Sequence, residues 1–168
     1  MKKAKQLGFT LVEILLYIAI SATLISVVSV FILTSLQSRV KNQVIAEVNS
    51  EGVFVSQMIS QLIRNAETIN SPSTGTSSAS LSLNVNDAAL DPAVFDLSSS
   101  RIRLIEGVSA SINLTSSRII VSNLTFQNLS RSNTPGLIKF SFTLTYINSS
   151  GRNEYDFSKT FYATASLR

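Results

Sequence analysis

The chain has no cysteine, no histidine and no tryptophan among its 168 residues. Without cysteine there is neither a disulfide framework nor a thiolate metal site. Without histidine, the commonest general base and the commonest zinc ligand are both missing. Any folded domain must therefore rely on its apolar core alone. Proline is scarce as well. The first is Pro72, so nothing breaks a helix before that point. Charge is absent from Ile14 to Ser38, a run dominated by Leu, Ile, Val, Ala and Phe.

The formal net charge is +4 and the pI is near 9.6. Lys2, Lys3 and Lys5 all precede the apolar run, and without the first eight residues eleven basic residues face ten acidic ones. The body is nearly neutral, which argues against a nucleic-acid partner. Its richness in Ser, Thr and Asn suits an exposed β-rich domain. Ser98, Ser99, Ser100 and Lys139 are present, but no activating arrangement is visible around them. The sequence reads as a non-enzyme without a cofactor.

Three segments follow one another. About 20 apolar residues cross the hydrocarbon core, so the run to Leu36 is long enough to span a membrane. The lysines before it predict a cytoplasmic N-terminus and an exported remainder. Ala19-Ile20-Ser21 loosely fits a signal-peptidase site, yet the run continues well past it, which favours an anchor.

From Arg39 to Ile69 the apolar residues Val40, Val44, Val48, Gly52, Val55, Ile59, Leu62, Ala66 and Ile69 recur every three or four positions. That spacing predicts an amphipathic helix continuous with the span. About 60 residues at ~1.5 Å each would make a rod on the order of 90 Å. Gly52 is its one interior glycine and a candidate bend.

After the polar tract Asn70 to Ser80, alternation of period two predicts strands in "SLSLNV", "RIRLI", "SINLT", "RIIVSNLTFQNL" and "LIKFSFTLTYI". "NSSGR" is a turn signal, and "EYDFSKTFYATASL" completes a hairpin. The expected fold class is α+β: a long N-terminal helix, half membrane span and half amphipathic, whose second half packs on a C-terminal antiparallel sheet.

Glu13 stands at the edge of the apolar run. A carboxylate carried to the bilayer centre costs about 2.5–3.5 kcal/mol, so something should compensate it. Here the residues carry a resemblance. Gly8-Phe9-Thr10-Leu11-Val12-Glu13, after three lysines and before a long apolar run, resembles the class III signal of type IV pilins and type II secretion pseudopilins. The resemblance implies a leader of residues 1–8, cleavage by prepilin peptidase between Gly8 and Phe9, and methylation of the new Phe9 amine. It further implies a polymerising span at 9–38, an amphipathic half at 39–70 and a β-rich domain at 71–168. Glu13 would then pair with the N-terminus of a neighbouring subunit. The implied partners are other pilin or pseudopilin subunits, an inner-membrane assembly platform and membrane lipid. The implied location is the bacterial cytoplasmic membrane, with the domain outside and a filament after assembly.

The chain departs from many major pilins at Val30, where those carry a helix-breaking proline, and in lacking a C-terminal cysteine pair. "QLIRNAETI" at Gln61 to Ile69 is similar to minor pilins and minor pseudopilins. The alternative reading is a membrane-anchored β-domain binding module that does not polymerise.

Three lesser signals complete the reading. Asp87, Asp91 and Asp96 in "NDAALDPAVFD" are weak calcium candidates in a loop of no defensible ligand spacing, more simply a solvated acidic loop. Asn113, Asn123, Asn128 and Asn148 each begin an N-x-S/T triplet, as chance produces in such a composition. Arg101, Arg103, Arg118 and Arg131 read as surface charge, because no aromatic interleaves with them as a nucleic-acid platform needs.

Overall fold

A computed structural model describes residues 10–132 and 134–168. Helix α1 (Leu11–Asn65) is followed by β1 (Ala66–Ser71), β2 (Ser77–Ser78), β3 (Leu81–Val85), β4 (Ala93–Ser98), β5 (Arg101–Glu106), β6 (Ile112–Asn113), β7 (Ile119–Asn128), β8 (Leu137–Tyr146) and β9 (Ser158–Ser166). The chain divides into two units, Met1–Val40 and Lys41–Arg168. The first holds the apolar part of α1. The second holds the amphipathic part and all the strands.

Within the second unit the helix buries Val44, Val48, Gly52, Val55 and Ile59 of the expected stripe, and then Ile63 where Leu62 is expected; Leu62 is half-buried. It packs on antiparallel sheets, which gives the α+β, pilin-like architecture that the sequence leads one to expect. There are two sheets rather than one. One has the order β1-β3-β4-β5-β6 and the other β2-β7-β8-β9. Both send their apolar faces into one core with the helix. A row of rings joins them: Phe95 of β4 lies 6.4 Å from Phe126 of β7, which lies 6.2 Å from Phe140 of β8.

The strand alternation of β8 is as expected. Ile138, Phe140, Phe142 and Leu144 are buried, while Lys139 is exposed between them. On β7 the phase changes. Ile119 and Val121 point inward, and so do Leu124 and Phe126. The register against β8 shifts between Ser122 and Thr125, where Asn123 adopts φ 53°. One extra residue resets the two-residue period, so both halves of a ten-residue strand face the core. Asparagine tolerates that left-handed backbone better than most residues.

Three expectations are corrected here. The helix ends at Asn65, and residues 66–71 form β1 instead of its last turn. Ala66 and Ile69 fit a helical stripe, but pairing with β3 (Ala66↔Val85, Ile69↔Leu83) satisfies the backbone in an extended form. Ala93–Ser98, read as part of an acidic loop, is strand β4, anchored by buried Ala93 and Phe95 and paired residue for residue with β5. Gly52 is a packing position. A Cβ placed there would lie 2.0 Å from Cζ of Phe161, so the missing side chain makes room for that ring.

Candidate functional site

The N-terminal turn of α1 is built by a short local code, "TLVE". Thr10 precedes the first helical residue, and the Glu13 amide donates to both the Thr10 carbonyl (3.1 Å) and Thr10 Oγ1 (3.3 Å). This is a threonine N-cap with glutamate three residues later, a spacing that satisfies orphan amides at a helix start. A carboxylate in the first turn also meets the positive end of the helix dipole. The capping role of Thr10 was legible in the T-x-x-E spacing and was not drawn from it. Glu13 is exposed. Gly8, Phe9, Lys2, Lys3 and Lys5 lie outside the described residues.

Beyond the cap, the helix is long and apolar enough to cross a membrane. Its mean hydropathy reaches 2.4 over an 18-residue window, none of it buried within the protein. Five hydroxyls in this stretch are turned onto the helix backbone. Thr23 Oγ1 donates to the Ile20 carbonyl (2.8 Å), Ser26 to Ala22 (2.8 Å), Ser29 to Ile25 (2.8 Å), Thr34 to Phe31 (3.0 Å) and Ser38 to Thr34 (2.9 Å). Each of these five groups thus carries its acceptor with it. An unsatisfied hydroxyl in an apolar medium would cost several kcal/mol, and this arrangement avoids that cost.

The three aspartates do not converge. Asp87 Oδ1 accepts from the Ala89 amide (3.0 Å) and Asp91 Oδ1 from the Val85 amide (3.1 Å), both shaping the β3–β4 turn. Asp96 lies across the β4–β5 ladder from Arg103 and takes two hydrogen bonds from it, at 2.9 and 2.6 Å. Those bonds raise the Arg103 pKa. All three carboxylates have structural partners, and among the described residues no group of three acidic side chains is placed to hold a metal ion.

The arginines are likewise dispersed. Arg103 is held by Asp96, Arg118 Nη2 lies 2.6 Å from Glu47 Oε1, and Arg131 is exposed elsewhere. Ser99 and Ser100 have φ 49° and 58° and form the tight two-residue turn between β4 and β5, while Lys139 projects from β8 of the other sheet. They make no catalytic pair. Asn128 is buried, 3% exposed, with its Nδ2 donating to the Pro72 carbonyl at 2.7 Å. It is a core hydrogen-bonding residue rather than a surface acceptor for sugar.

The family model of the prokaryotic N-terminal methylation motif matches residues 3–33. The match indicates a type IV pilin-like prepilin with a class III signal, and it covers the capped, charge-bearing turn and most of the apolar span just described. Such a motif implies processing by prepilin peptidase and assembly with other pilin subunits, a structural role rather than an enzymatic one, and a membrane-anchored protein. No curated protein and no solved structure matches the chain.

Proposed function

We propose that this chain is a structural subunit of a type IV pilus or of a type II secretion pseudopilus-like filament. Prepilin peptidase cuts it after Gly8 and methylates the Phe9 amine. The observation that carries this reading is the methylation motif at residues 3–33, joined to an apolar helix that buries none of its most apolar window. Such a surface needs lipid or the helices of neighbours around it.

Cleavage leaves a positive amine at Phe9. An isolated charge buried among apolar helices costs several kcal/mol, whereas a hydrogen-bonded opposite charge offsets much of that penalty. Glu13 of a neighbouring subunit supplies that charge, so the pair fixes the axial register between helices. "QLIRNAETI" supports a minor subunit. The domain formed by Lys41–Arg168 then sits outside the membrane, on the filament surface.

Intact-mass and N-terminal peptide spectrometry on membranes of the native host tests the reading. A mature chain that starts at Phe9 and is heavier by one methyl group is the expected result. A start at Ala22 would mean ordinary secretion and an uncut Met1 a plain anchor, and either would sink the proposal.

A further inference from the structure

Strand β9 forms one edge of its sheet, and among the described residues β8 is its one paired strand. Two hydrogen bonds fix which of its backbone groups face outward. The Tyr146 amide donates to the Phe157 carbonyl (3.0 Å) and the Leu167 amide to the Gly136 carbonyl (2.8 Å), in the register that pairs Thr145 with Ser158 and Leu137 with Ser166. Hydrogen-bonded positions alternate in an antiparallel ladder, so Lys159, Phe161, Ala163 and Ala165 bond to β8. The amides and carbonyls of Ser158, Thr160, Tyr162, Thr164 and Ser166 point to the open edge. Other edges are protected: β2 and β6 are two residues long, and the register of β1 against β3 is broken in two places. β9 presents nine regular residues with no proline, no bulge and no charge among the five that face outward, which are the usual devices against edge pairing.

A groove lies beside that edge, on the α1 side of the sheet. It encloses about 600 Å³ and is lined by Val53, Gln57, Gln61 and Arg64 of α1 together with Phe161 and Arg168. Side chains alternate between the two faces of a strand, so a strand added to β9 would send every second side chain into this groove. The lining is graded. Exposed Val53 and half-buried Phe161 make one end apolar. Arg64 stands ~16 Å further along α1, and with Arg168 it makes the other end cationic. Both arginines are exposed, and among the described residues neither is in an ion pair. No carboxylate side chain lines the groove, and Glu67 shares a separate hollow with Arg168. Lys159 also faces α1, where it donates to Asn49 Oδ1 (2.6 Å).

We propose that the β9 edge and this groove capture an extended, acidic segment of another polypeptide, which joins the four-stranded sheet as a fifth strand. Strand addition draws its affinity from main-chain bonds and its selectivity from pockets for alternate side chains. The cationic end of the groove selects Glu or Asp, and the apolar end selects Val or Leu. The added strand runs antiparallel to β9, as every pairing in that sheet does. It therefore carries the acid opposite Ala165 and the apolar residue opposite Phe161, four positions later. The β9 of a second copy is excluded as the occupant. Antiparallel pairing of the two would turn about an axis normal to the sheet and set the α1 helices in opposite directions, so their apolar spans could not enter one membrane in the same sense. A separate segment imposes no such axis. Capture of this segment goes beyond the filament reading and does not depend on it.

The probes are acetylated, amidated octapeptides in which Thr alternates with Glu, Lys, Ser, Val or Leu, titrated onto the full-length chain in detergent. The tightest binders should carry Glu four residues before Val or Leu. Replacing that Glu by Lys should weaken binding at least about tenfold, the scale of one hydrogen bond to a charged group. Binding should slow hydrogen exchange at the outward amides of Thr160, Tyr162 and Thr164. Thr164→Pro removes one of those amides, which the fold does not use, and should abolish binding. Arg64→Glu should reverse the preference from the Glu to the Lys peptide, a rescue that a misfolded variant could not show. Equal binding of Glu and Lys peptides, unchanged exchange at those amides, binding that persists with Thr164→Pro, or no binder tighter than about 1 mM would each overturn the proposal. Self-association of the chain that blocks the peptide would assign the edge to a second copy and overturn it as well.

Discussion

The ring of Phe161 occupies the space a side chain at Gly52 would need, with ring carbons Cζ, Cε2 and Cε1 lying 2.0 to 2.4 Å from the position of an added Cβ. The ring cannot simply swing aside. It stacks on Phe142 at 5.5 Å between centres and carries Lys159 above it. A glycine that reads as a weak point in a helix is thus the seat of a sheet residue.

Two effects oppose each other in Gly52→Ala. Alanine gains about 1 kcal/mol of helix propensity, while overpacking costs about 1–3 kcal/mol. We expect net destabilisation of up to about 2 kcal/mol by chemical denaturation of the full-length chain in detergent. In a Phe161→Ala background the same change should become stabilising by about 1 kcal/mol, because only the propensity term remains. Equal effects in both backgrounds would deny the contact.

The cap at Thr10 and the proposed pairing of Glu13 with a neighbouring subunit separate by substitution. Glu13→Gln keeps a residue compatible with the Thr10 cap but removes the charge. Cleavage and membrane insertion should be unchanged, while the yield of sheared filaments should fall at least about tenfold, as expected when a buried charge loses its partner at a cost of several kcal/mol. Wild-type filament yield from Glu13→Gln would rule out the proposed charge pairing.

Two carboxylates one turn apart on α1 hold the β6–β7 connection. Glu51 Oε2 accepts from the Ser116 amide at 3.0 Å, and Glu47 pairs with Arg118. Glu51→Ala should cost about 1.5–3 kcal/mol, the range for a hydrogen bond to a charged group, and should speed exchange of the Ser116 amide. Unchanged exchange at that amide would show that the connection is held by other contacts.

The stripe predicts a graded core. Ile59 is fully buried, so Ile59→Ala should cost about 2–5 kcal/mol. Val53 is 50% exposed, and Val53→Ala should stay within about 0.5 kcal/mol of wild type. Denaturation midpoints of the two variants, measured side by side, make the check.

What the sequence revealed depended on how far its signals reach along the chain. The helical stripe from Val44 to Ile59 and the alternation of β8 are local periods, and both appear in the structure as read. Residues 66–71 misled because Ala66 and Ile69 suit either period, and only the distant β3 decides between them. β4 was hidden by Asp91 just before it and Asp96 within it; the partner of Asp96 becomes visible only when Arg103 is placed opposite, and that of Asp91 is the Val85 amide. The division into two sheets, and the contact of Gly52 with Phe161 more than a hundred residues later, are long-range facts with no local trace. At the candidate site, the motif around Glu13 was plain, whereas the cap at Thr10 lay in view within the same four letters.

The inward-turned hydroxyls of α1 also bear on how such a helix could change surroundings. Ser26, Ser29 and Ser38 neither recruit nor release a partner when the medium around them is exchanged. Moving this helix from oil to a protein bundle would therefore leave the bonds of these hydroxyls untouched. Among the described residues from Leu11 to Ser38, Glu13 is the one formally charged side chain, and for it the destination matters electrically.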